Sequence, residues 1–274
     1  MSSTQTEKAE RFRALHDGPS LFLIPNPWDP ISARLLAGLG FQALATSSAA
    51  SAAAFGRRDG GITREQALDH ARAIVSASDL PVSADLENGF GDSPEVVAET
   101  VRLAAAAGLC GCTIEDSTRN PSHPFYDLPL AVERIAAATE AARVLRFPFM
   151  LTARAHNFLY PNANLDETIQ RLQAYEKAGA NVLFAPGLPD LAAVRTVCSA
   201  TTKPFNFMAG IKGKSFPVVE LAAAGVRRIS LATALYRAAM TGLLDAVREV
   251  EEYGTFGFVD HCATTAELNE LMSI

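Results

Sequence analysis

The sequence lacks the features that mark proteins that bind nucleic acids or insert into membranes. Its 274 residues include 24 Lys and Arg against 30 Asp and Glu, a formal net charge of −6, so no basic excess is present to bind a phosphate backbone. No apolar run is long enough to span a bilayer, and residues 1–16 have no apolar core of the kind that a signal peptide needs. We therefore expect a cytoplasmic protein with neither nucleic acid nor membrane as a partner.

Paired cysteines and a glycine-rich phosphate loop are also absent. Cys110, Cys112, Cys198 and Cys262 form no Cys-x-x-Cys pair and have no histidine at zinc-finger spacing. We expect reduced and mostly buried thiols. A nucleotide-binding sheet would ordinarily place a G-x-G-x-x-G turn after its first strand, whereas here that strand leads into Pro25–Asp29. Zinc fingers and dinucleotide-binding folds are therefore disfavoured.

What the sequence does contain is a regular alternation of short β-prone runs and alanine-rich amphipathic segments. The eight candidate strands are Leu21–Pro25, Ala43–Ser48, Val82–Glu87, Gly111–Asp116, Phe149–Arg154, Asn181–Pro186, Pro204–Ala209 and Arg227–Thr233. Gly40, Gly108, Gly179 and Gly225 stand where a helix would end in a left-handed cap before the next strand. Eight such units predict an α/β fold, one (β/α)8 TIM barrel over residues 1–274, with an open doubly wound sheet as the alternative.

Residues 252–274 follow the eight units and are predicted to have a separate role. Glu252–Phe258 has the composition of a linker, and a final helix would be capped at Thr264 or Thr265 and run through Leu271. This helix has no partner among the eight units. We expect it to pack at an interface with a neighbouring subunit.

The most informative stretch is Ser83–Gly91, an apolar strand that ends in Asp85 and Glu87 and then breaks on glycine. Side chains at positions i and i+2 of a strand share one face, so both carboxylates would project together from the strand's end. Two converging carboxylates repel each other unless a cation lies between them. Mg²⁺ is the predicted cation because it prefers carboxylate and water oxygens, and Mn²⁺ is a possible substitute.

Polar residues collect at the carboxyl ends of the predicted strands, where barrel enzymes place their chemistry. These residues are Asn26, Asp29, Ser47, Ser48, Asp85, Glu87, Glu115, Asp116, Arg154 and Asn206. Asp85, Glu87 and Glu115 would converge from neighbouring strands to form the Mg²⁺ site. Asp59 is available from the loop that precedes the third strand. The alternative is an ion-pair network between these acids and nearby arginines, Arg154 among them.

Other residues in this set suit the binding of a substrate's oxygen atoms. The Arg154 guanidinium could grip a substrate carboxylate with two hydrogen bonds, or form a salt bridge to a strand-end acid. Ser47 and Ser48 could donate hydrogen bonds to a carbonyl or carboxylate oxygen. Serines on a loop of small residues are also often without a role.

Taken together, these motifs resemble the isocitrate lyase and phosphoenolpyruvate mutase superfamily. The resemblance covers nearly the whole chain through Asn26–Asp29, Ser32–Arg34, Gly40–Leu44, Asp59, Asp85–Gly91, Ile114–Asp116 and Ala153–Arg154. It implies a barrel whose last helix is exchanged with a partner, usually in a dimer of dimers, which is a homotetramer. It also implies a 2-oxo acid or its enolate bound to Mg²⁺ in the site.

The resemblance assigns metal-binding roles residue by residue. Asp85 resembles the direct metal ligand of the family. The acids that hold the metal's waters correspond to Asp59, Glu87 and Glu115. Glu87 stands where aspartate is common, and the longer side chain would shift the outer shell of the metal.

Substrate-binding roles follow in the same way. Ser47 and Ser48 resemble a serine-glycine pair that binds the substrate's oxygens, with Ser48 standing where glycine is common. Arg154 resembles the arginine that binds the substrate carboxylate. Asn206 and Arg237 are similar to later substrate contacts.

The loop after Glu115 and Asp116 departs from the family. Isocitrate and methylisocitrate lyases carry Lys-Lys/Arg-Cys-Gly-His there, and the cysteine supplies a proton to the departing enolate. Ser117–Pro124 contains neither cysteine nor lysine, and it also lacks the Lys-x-Asn signature of the mutases. His123 or Arg119 is the candidate replacement, so we count His123 with Asp59, Glu115 and Arg154 as catalytic candidates.

The sequence therefore predicts a Mg²⁺-dependent lyase that cleaves a carbon–carbon bond in a 2-oxo acid, or in a dicarboxylate that releases one. Oxaloacetate decarboxylation and a methylisocitrate- or dimethylmalate-lyase-like reaction are concrete versions. Three alternatives stay open. They are a phosphonopyruvate-type enzyme acting on a carbon–phosphorus bond, an oxaloacetate hydrolase, and a non-catalytic binder of 2-oxo acids.

Overall fold

The computed structural model describes residues 3–161 and 163–273, and its centre is one parallel sheet of eight strands. In chain order, the strands of this sheet are β1 (Phe22–Ile24), β2 (Leu44–Ala45), β3 (Val82–Asp85), β4 (Gly111–Glu115), β7 (Met150–Arg154), β8 (Val182–Phe184), β9 (Phe205–Met208) and β10 (Arg228–Ser230). All eight predicted strands are present. A separate antiparallel hairpin, β5 (Ser117–Asn120) and β6 (His123–Phe125), follows β4 and was not predicted.

Eleven α-helices accompany the strands within the described residues. They are α1 (Gln5–Asp17), α2 (Pro30–Gly38), α3 (Ser48–Ala54), α4 (Arg64–Ala77), α5 (Pro94–Ala106), α6 (Leu128–Arg143), α7 (Leu165–Lys177), α8 (Leu191–Ala200), α9 (Val218–Ala223), α10 (Ala234–Tyr253) and α11 (Thr265–Leu271). Short 3₁₀ segments occupy Asn157–Leu159 and Gly257–His261.

The sheet curls into a nearly closed barrel. Its strand order is β1-β10-β9-β8-β7-β4-β3-β2, and the two end strands meet where the Ala45 amide donates to the Pro25 carbonyl at 3.0 Å. The TIM-barrel prediction is confirmed and the open doubly wound sheet is excluded. Gly40, Gly108, Gly179 and Gly225 have φ between +86° and +100°, as expected of left-handed turns between helix and strand.

The amino end of the barrel is closed by α1, which precedes the eight predicted units. A capping box at Thr4 starts this helix, and Phe12 on its inner face is fully buried against Phe22 and Met150. His16, in the last turn, is also buried. Its Nδ1 lies 2.8 Å from the Phe12 carbonyl and its Nε2 lies 3.1 Å from Arg228 Nη1, so Nδ1 carries the proton and Nε2 accepts.

The C-terminal part leaves the barrel. None of the 20 residues of α10 is buried, and an apolar stripe that includes Leu243, Val247 and Val250 is exposed. The next helix, α11, returns to α2, where a Cβ at Gly38 would overlap with the Leu271 carbonyl. Most of α11 is nevertheless exposed.

No helix among the described residues is long and apolar enough to cross a membrane.

The buried imidazole of His16 makes stability depend on pH. Burial and the neighbouring Arg228 lower the pKa of His16 to about 3. An unfolded chain binds this proton below about pH 6.5, so stability is fully present above that pH and falls as the pH drops. Between about pH 7.5 and about pH 5, we expect His16 to account for a loss of about 2 kcal/mol in the free energy of unfolding.

Urea unfolding of the native chain and of His16→Gln at the two pH values measures this loss. The glutamine carbonyl can still accept from Arg228 but cannot be protonated, so the variant should lose about 2 kcal/mol less. An identical loss in both proteins would contradict the prediction.

Candidate active site

A cavity of about 170 Å³ lies at the carboxyl ends of the barrel strands. Six of the predicted site residues line it: Ser47, Ser48, Asp59, Asp85, Arg154 and Asn206. They come from four strands, β2, β3, β7 and β9, or from the loops that follow them, because parallel strands deliver all their carboxyl ends to one end of a barrel. Strand ends were sufficient to find Asp85, Arg154 and Asn206, whereas Asp59 was found in a loop.

Arg154 lies between two carboxylates at the edge of this cavity. Its Nη1 is 3.8 Å from Asp85 Oδ2, and its Nε is 3.3 Å from Glu115 Oε2. The ring of Phe184 lies 5.1 Å from the guanidinium carbon and supports its face. The ion-pair network that the sequence left open is therefore present, with Arg154 as its centre.

Glu115 and Asp85 differ in how well their charge is balanced. Burial alone would raise the pKa of Glu115, but Arg154 and a 3.1 Å contact from His156 Nδ1 outweigh it and lower that pKa. Burial raises the pKa of Asp85, and repulsion from Glu115 and Asp59 adds to this effect, so that its favourable partners, Arg154 first among them, do not offset it. One of those partners is the Ser48 amide, 3.2 Å from Asp85 Oδ2. Asp85 is thus a largely buried acid, its side chain 15% exposed, whose negative charge lacks full compensation.

Glu87 does not share the face of Asp85. Strand β3 ends at Asp85, and Glu87 has φ of +56°, so the chain turns before the second acid is reached. The Glu87 carboxylate is 2% exposed and contacts the guanidinium of Arg119 in the β5–β6 hairpin. The expected strand pairing of the two acids is wrong because a left-handed residue reverses the side-chain direction.

Two further candidates lie outside the cavity wall. His123 belongs to β6 and is exposed. Arg237 lies in the first turn of α10, where its Nη1 donates to the Gly210 carbonyl at 3.0 Å. Asp29, another strand-end acid, caps α2 through the Ser32 amide at 2.7 Å and serves the fold.

Buried arginines on the outer helices hold the loops that carry the site acids. Arg134 of α6 donates to the Gly91 carbonyl at 2.6 Å and stacks 4.0 Å from the Tyr126 ring, which fixes the loop after β3. Arg171 of α7 lies 3.2 Å from Asp116, and this acid also accepts from the His156 amide at 2.8 Å. The loops after β3, β4 and β7 are therefore tied to the helix layer.

Sequence reasoning missed several side chains of the cavity and its surroundings. His156 follows Arg154 by two positions, where the period of a strand places both on one face, but its contact with Glu115 was not predicted. Ser230 and Arg228 line the cavity from β10 in the same i, i+2 relation. A charged residue inside an apolar strand was the available signal for Arg228.

The described residues contain no group of three His, Cys, Asp or Glu side chains arranged to hold a metal ion. The four-acid metal site is thus not assembled as an all-protein cage. The largely buried carboxylate of Asp85, whose charge is not fully compensated and which shares the cavity with Asp59, instead fits a cation that is bound directly by one carboxylate and keeps most of its waters. Mg²⁺ is bound in this way in many enzymes.

The chain is similar over most of its length to known proteins. The chain is 28% identical to "Probable 2-methylisocitrate lyase 2" of Corynebacterium glutamicum, over 97% of this chain and 89% of the relative. It is 30% identical to an oxaloacetate decarboxylase of Ectopseudomonas mendocina, over 89% and 84%. A crystal structure of a "putative lyase/mutase" from Burkholderia cenocepacia J2315 has a TM-score of 0.96 and 50% identity, covering 98% of this chain and 97% of that one.

The family model of phosphoenolpyruvate phosphomutase matches residues 12–251. This match covers the whole barrel and most of α10, and so confirms the resemblance drawn from the motifs. The chain belongs to the phosphoenolpyruvate phosphomutase family and is an enzyme of the isocitrate lyase and phosphoenolpyruvate mutase superfamily.

Proposed function

We propose that this protein is a Mg²⁺-dependent lyase that cleaves a carbon–carbon bond in a 2-oxo acid or in a dicarboxylate that releases one. One observation carries the proposal. A largely buried carboxylate with undercompensated charge, Asp85, lies 3.8 Å from a cavity-lining guanidinium, Arg154. This pairing supplies a site for a cation and a site for a substrate carboxylate within one small cavity.

Asp85 would hold the cation directly, and Asp59 would hold its waters. Glu115 and Glu87 are not part of the cavity wall and would act on the cation only through their negative charge. Mg²⁺ would supply positive charge beside the oxygens of the 2-oxo acid, where negative charge develops as the bond breaks. Mn²⁺ has the same preference for oxygen ligands and would substitute.

The protein's own groups bind and orient the substrate. The Arg154 guanidinium would donate to the substrate carboxylate, and Glu115 would keep it aimed into the cavity through the 3.3 Å contact with Nε. Ser47 and Ser48 lie on the wall beside Asp85 and would donate to the remaining oxygens. Asn206 lies deeper and would contact the far end of the substrate.

The source of the proton distinguishes the possible reactions. Among the described residues, the cavity wall contains no Cys, His, Lys or Tyr. The cavity wall therefore offers no suitable proton donor to a cleavage that needs an acid from the protein. His123 would have to reach the site from an exposed hairpin. Decarboxylation needs less: the bond to the departing CO2 breaks, its electron pair forms the enolate, and water supplies the proton. We therefore favour oxaloacetate decarboxylation, the activity named for one relative.

The proposal also covers how copies of the chain assemble through their C-terminal part. The exposed apolar stripe of α10 is continuous, and such a stripe on a helix is normally covered. We propose that α10 packs against the barrel of a second copy, in a homo-oligomer such as a dimer of dimers, with residues 252–274 near that interface.

The first prediction concerns products. We expect oxaloacetate to give pyruvate and CO2, and Asp85→Ala to lower turnover by more than about 100-fold because the cation loses its direct ligand. Product detection with oxaloacetate, methylisocitrate, dimethylmalate and phosphonopyruvate separates the lyase from the hydrolase, which makes oxalate and acetate, and from the carbon–phosphorus enzyme. Excess chelator should abolish the same activity.

Asp69→Ala is the matched control, because Asp69 is an exposed acid paired with Arg72 on α4. It should retain full turnover. Full activity of Asp85→Ala, or full activity in excess chelator, would rule out the metal-dependent mechanism. Mg²⁺-dependent binding of 2-oxo acids without any product would identify the non-catalytic binder.

The second prediction concerns assembly. Val247→Lys places a charge at the centre of the apolar stripe and should shift the protein to a smaller species in light scattering after size-exclusion chromatography. Asp245→Lys changes charge on the opposite face of α10 and should leave the mass unchanged. An unchanged oligomer in Val247→Lys would contradict the proposed interface.

A further inference from the structure

Arg228 is a cation without an anion inside the barrel. It is 4% exposed and extends from β10 to the deep end of the cavity described above. Its Nε donates to Asn206 Oδ1 at 2.8 Å, its Nη2 to Thr152 Oγ1 at 3.0 Å, and its Nη1 lies 3.1 Å from the His16 acceptor. All three partners are neutral. Within residues 3–161 and 163–273, no carboxylate forms an ion pair with it.

A buried guanidinium that lacks a counter-charge is costly, so its retention calls for an explanation. Burial lowers the pKa of Arg228 to about 9, which still leaves it protonated at neutral pH. A guanidinium has five N–H groups, and the three neutral partners use three of them. Two donors remain, and the residue lines the cavity.

Arg228 also determines which way its neighbours point. A guanidinium can only donate, so the oxygen of the Asn206 amide must face Nε and its NH2 group must face away. That NH2 group donates to Ser230 Oγ at 3.0 Å. Ser230 therefore accepts from Asn206, and its own proton is left for another acceptor. Asn206 and Ser230 both line the cavity.

We call the part of the cavity wall formed by Arg228, Asn206 and Ser230 the floor. Each of these residues keeps at least one N–H or O–H group beyond the hydrogen bonds described above, and the charge of Arg228 makes the floor positive. Such a surface binds an oxyanion and rejects a neutral or cationic group.

We propose that Arg228 is a positioning residue that makes the cavity floor a subsite for the second carboxylate of a dicarboxylate substrate. This inference rests on the proposed function, because the floor is the far end of the same cavity. Arg154 would bind one carboxylate at the mouth, and the floor would bind the other. The substrate class is thus narrowed to small dicarboxylates, oxaloacetate included.

Calorimetric binding of succinate and acetate in magnesium-containing buffer tests this without requiring turnover. The native chain should bind succinate more tightly than acetate. Arg228→Met removes the charge, and Asn206→Asp replaces the donor NH2 with an acceptor. Both variants should bind succinate about tenfold or more weakly, with acetate affinity much less affected, as expected for loss of a charged hydrogen bond.

Asn206→Asp separates binding from folding. Its carboxylate would pair with Arg228, so the melting temperature should be unchanged or higher while succinate affinity falls. A purely structural role for Arg228 would not produce that combination. If Arg228→Met fails to fold, Asn206→Asp still decides the question. Thr152→Val is the control, because it removes a partner of Arg228 outside the cavity wall and should leave succinate affinity unchanged.

Native-like succinate affinity in Asn206→Asp, or in a folded Arg228→Met, would overturn the inference. The lyase proposal fails separately. A native chain that turns over no substrate but shows the predicted succinate pattern would refute the reaction and leave the subsite intact. A chain that decarboxylates oxaloacetate but has equal succinate affinity in all variants would refute the subsite and leave the reaction intact.

Discussion

The site depends on one imbalance of charge, at the Asp85 carboxylate, which is largely buried at the end of β3 and has more negative than positive neighbours. Arg154 lies 3.8 Å away but is shared with Glu115, and Asp59 adds a further acid at the cavity. A protein tolerates such an arrangement when a ligand completes it. A cation at Asp85 would restore the balance and free Arg154 to bind a substrate carboxylate.

The remainder of the fold holds this arrangement in place. Parallel strands bring the acids and the arginine to one end of the barrel, and buried Arg134 and Arg171 tie the loops after β3 and β4 to the outer helices. A positive charge without a counter-charge lies deeper in the barrel, where Arg228 has only neutral hydrogen-bond partners. A cavity that is negative at Asp85 and positive at Arg154 and Arg228 matches a dianion accompanied by a metal ion.

Strand-end positions could be predicted from the sequence because a period of two and a closed parallel barrel fix where each such side chain lies. Asp85, Arg154 and Asn206 were found in this way. The turn at Glu87 could not be found, because nothing in the local sequence marks a positive φ at this non-glycine residue and its partner Arg119 lies on a later hairpin. The role of Arg228 depends on partners from α1, β7 and β9, and pairing across a barrel leaves no local pattern.

A crystal structure with Mn²⁺ and a small dicarboxylate tests the central claim most directly, since the anomalous signal locates the ion. The charge imbalance predicts a single Mn²⁺ within coordination distance of the Asp85 carboxylate, with Arg154 turned from Asp85 to the ligand. An ion bound elsewhere would contradict the account. So would a ligand-filled cavity in which Asp85 keeps Arg154 as its partner and no ion is present.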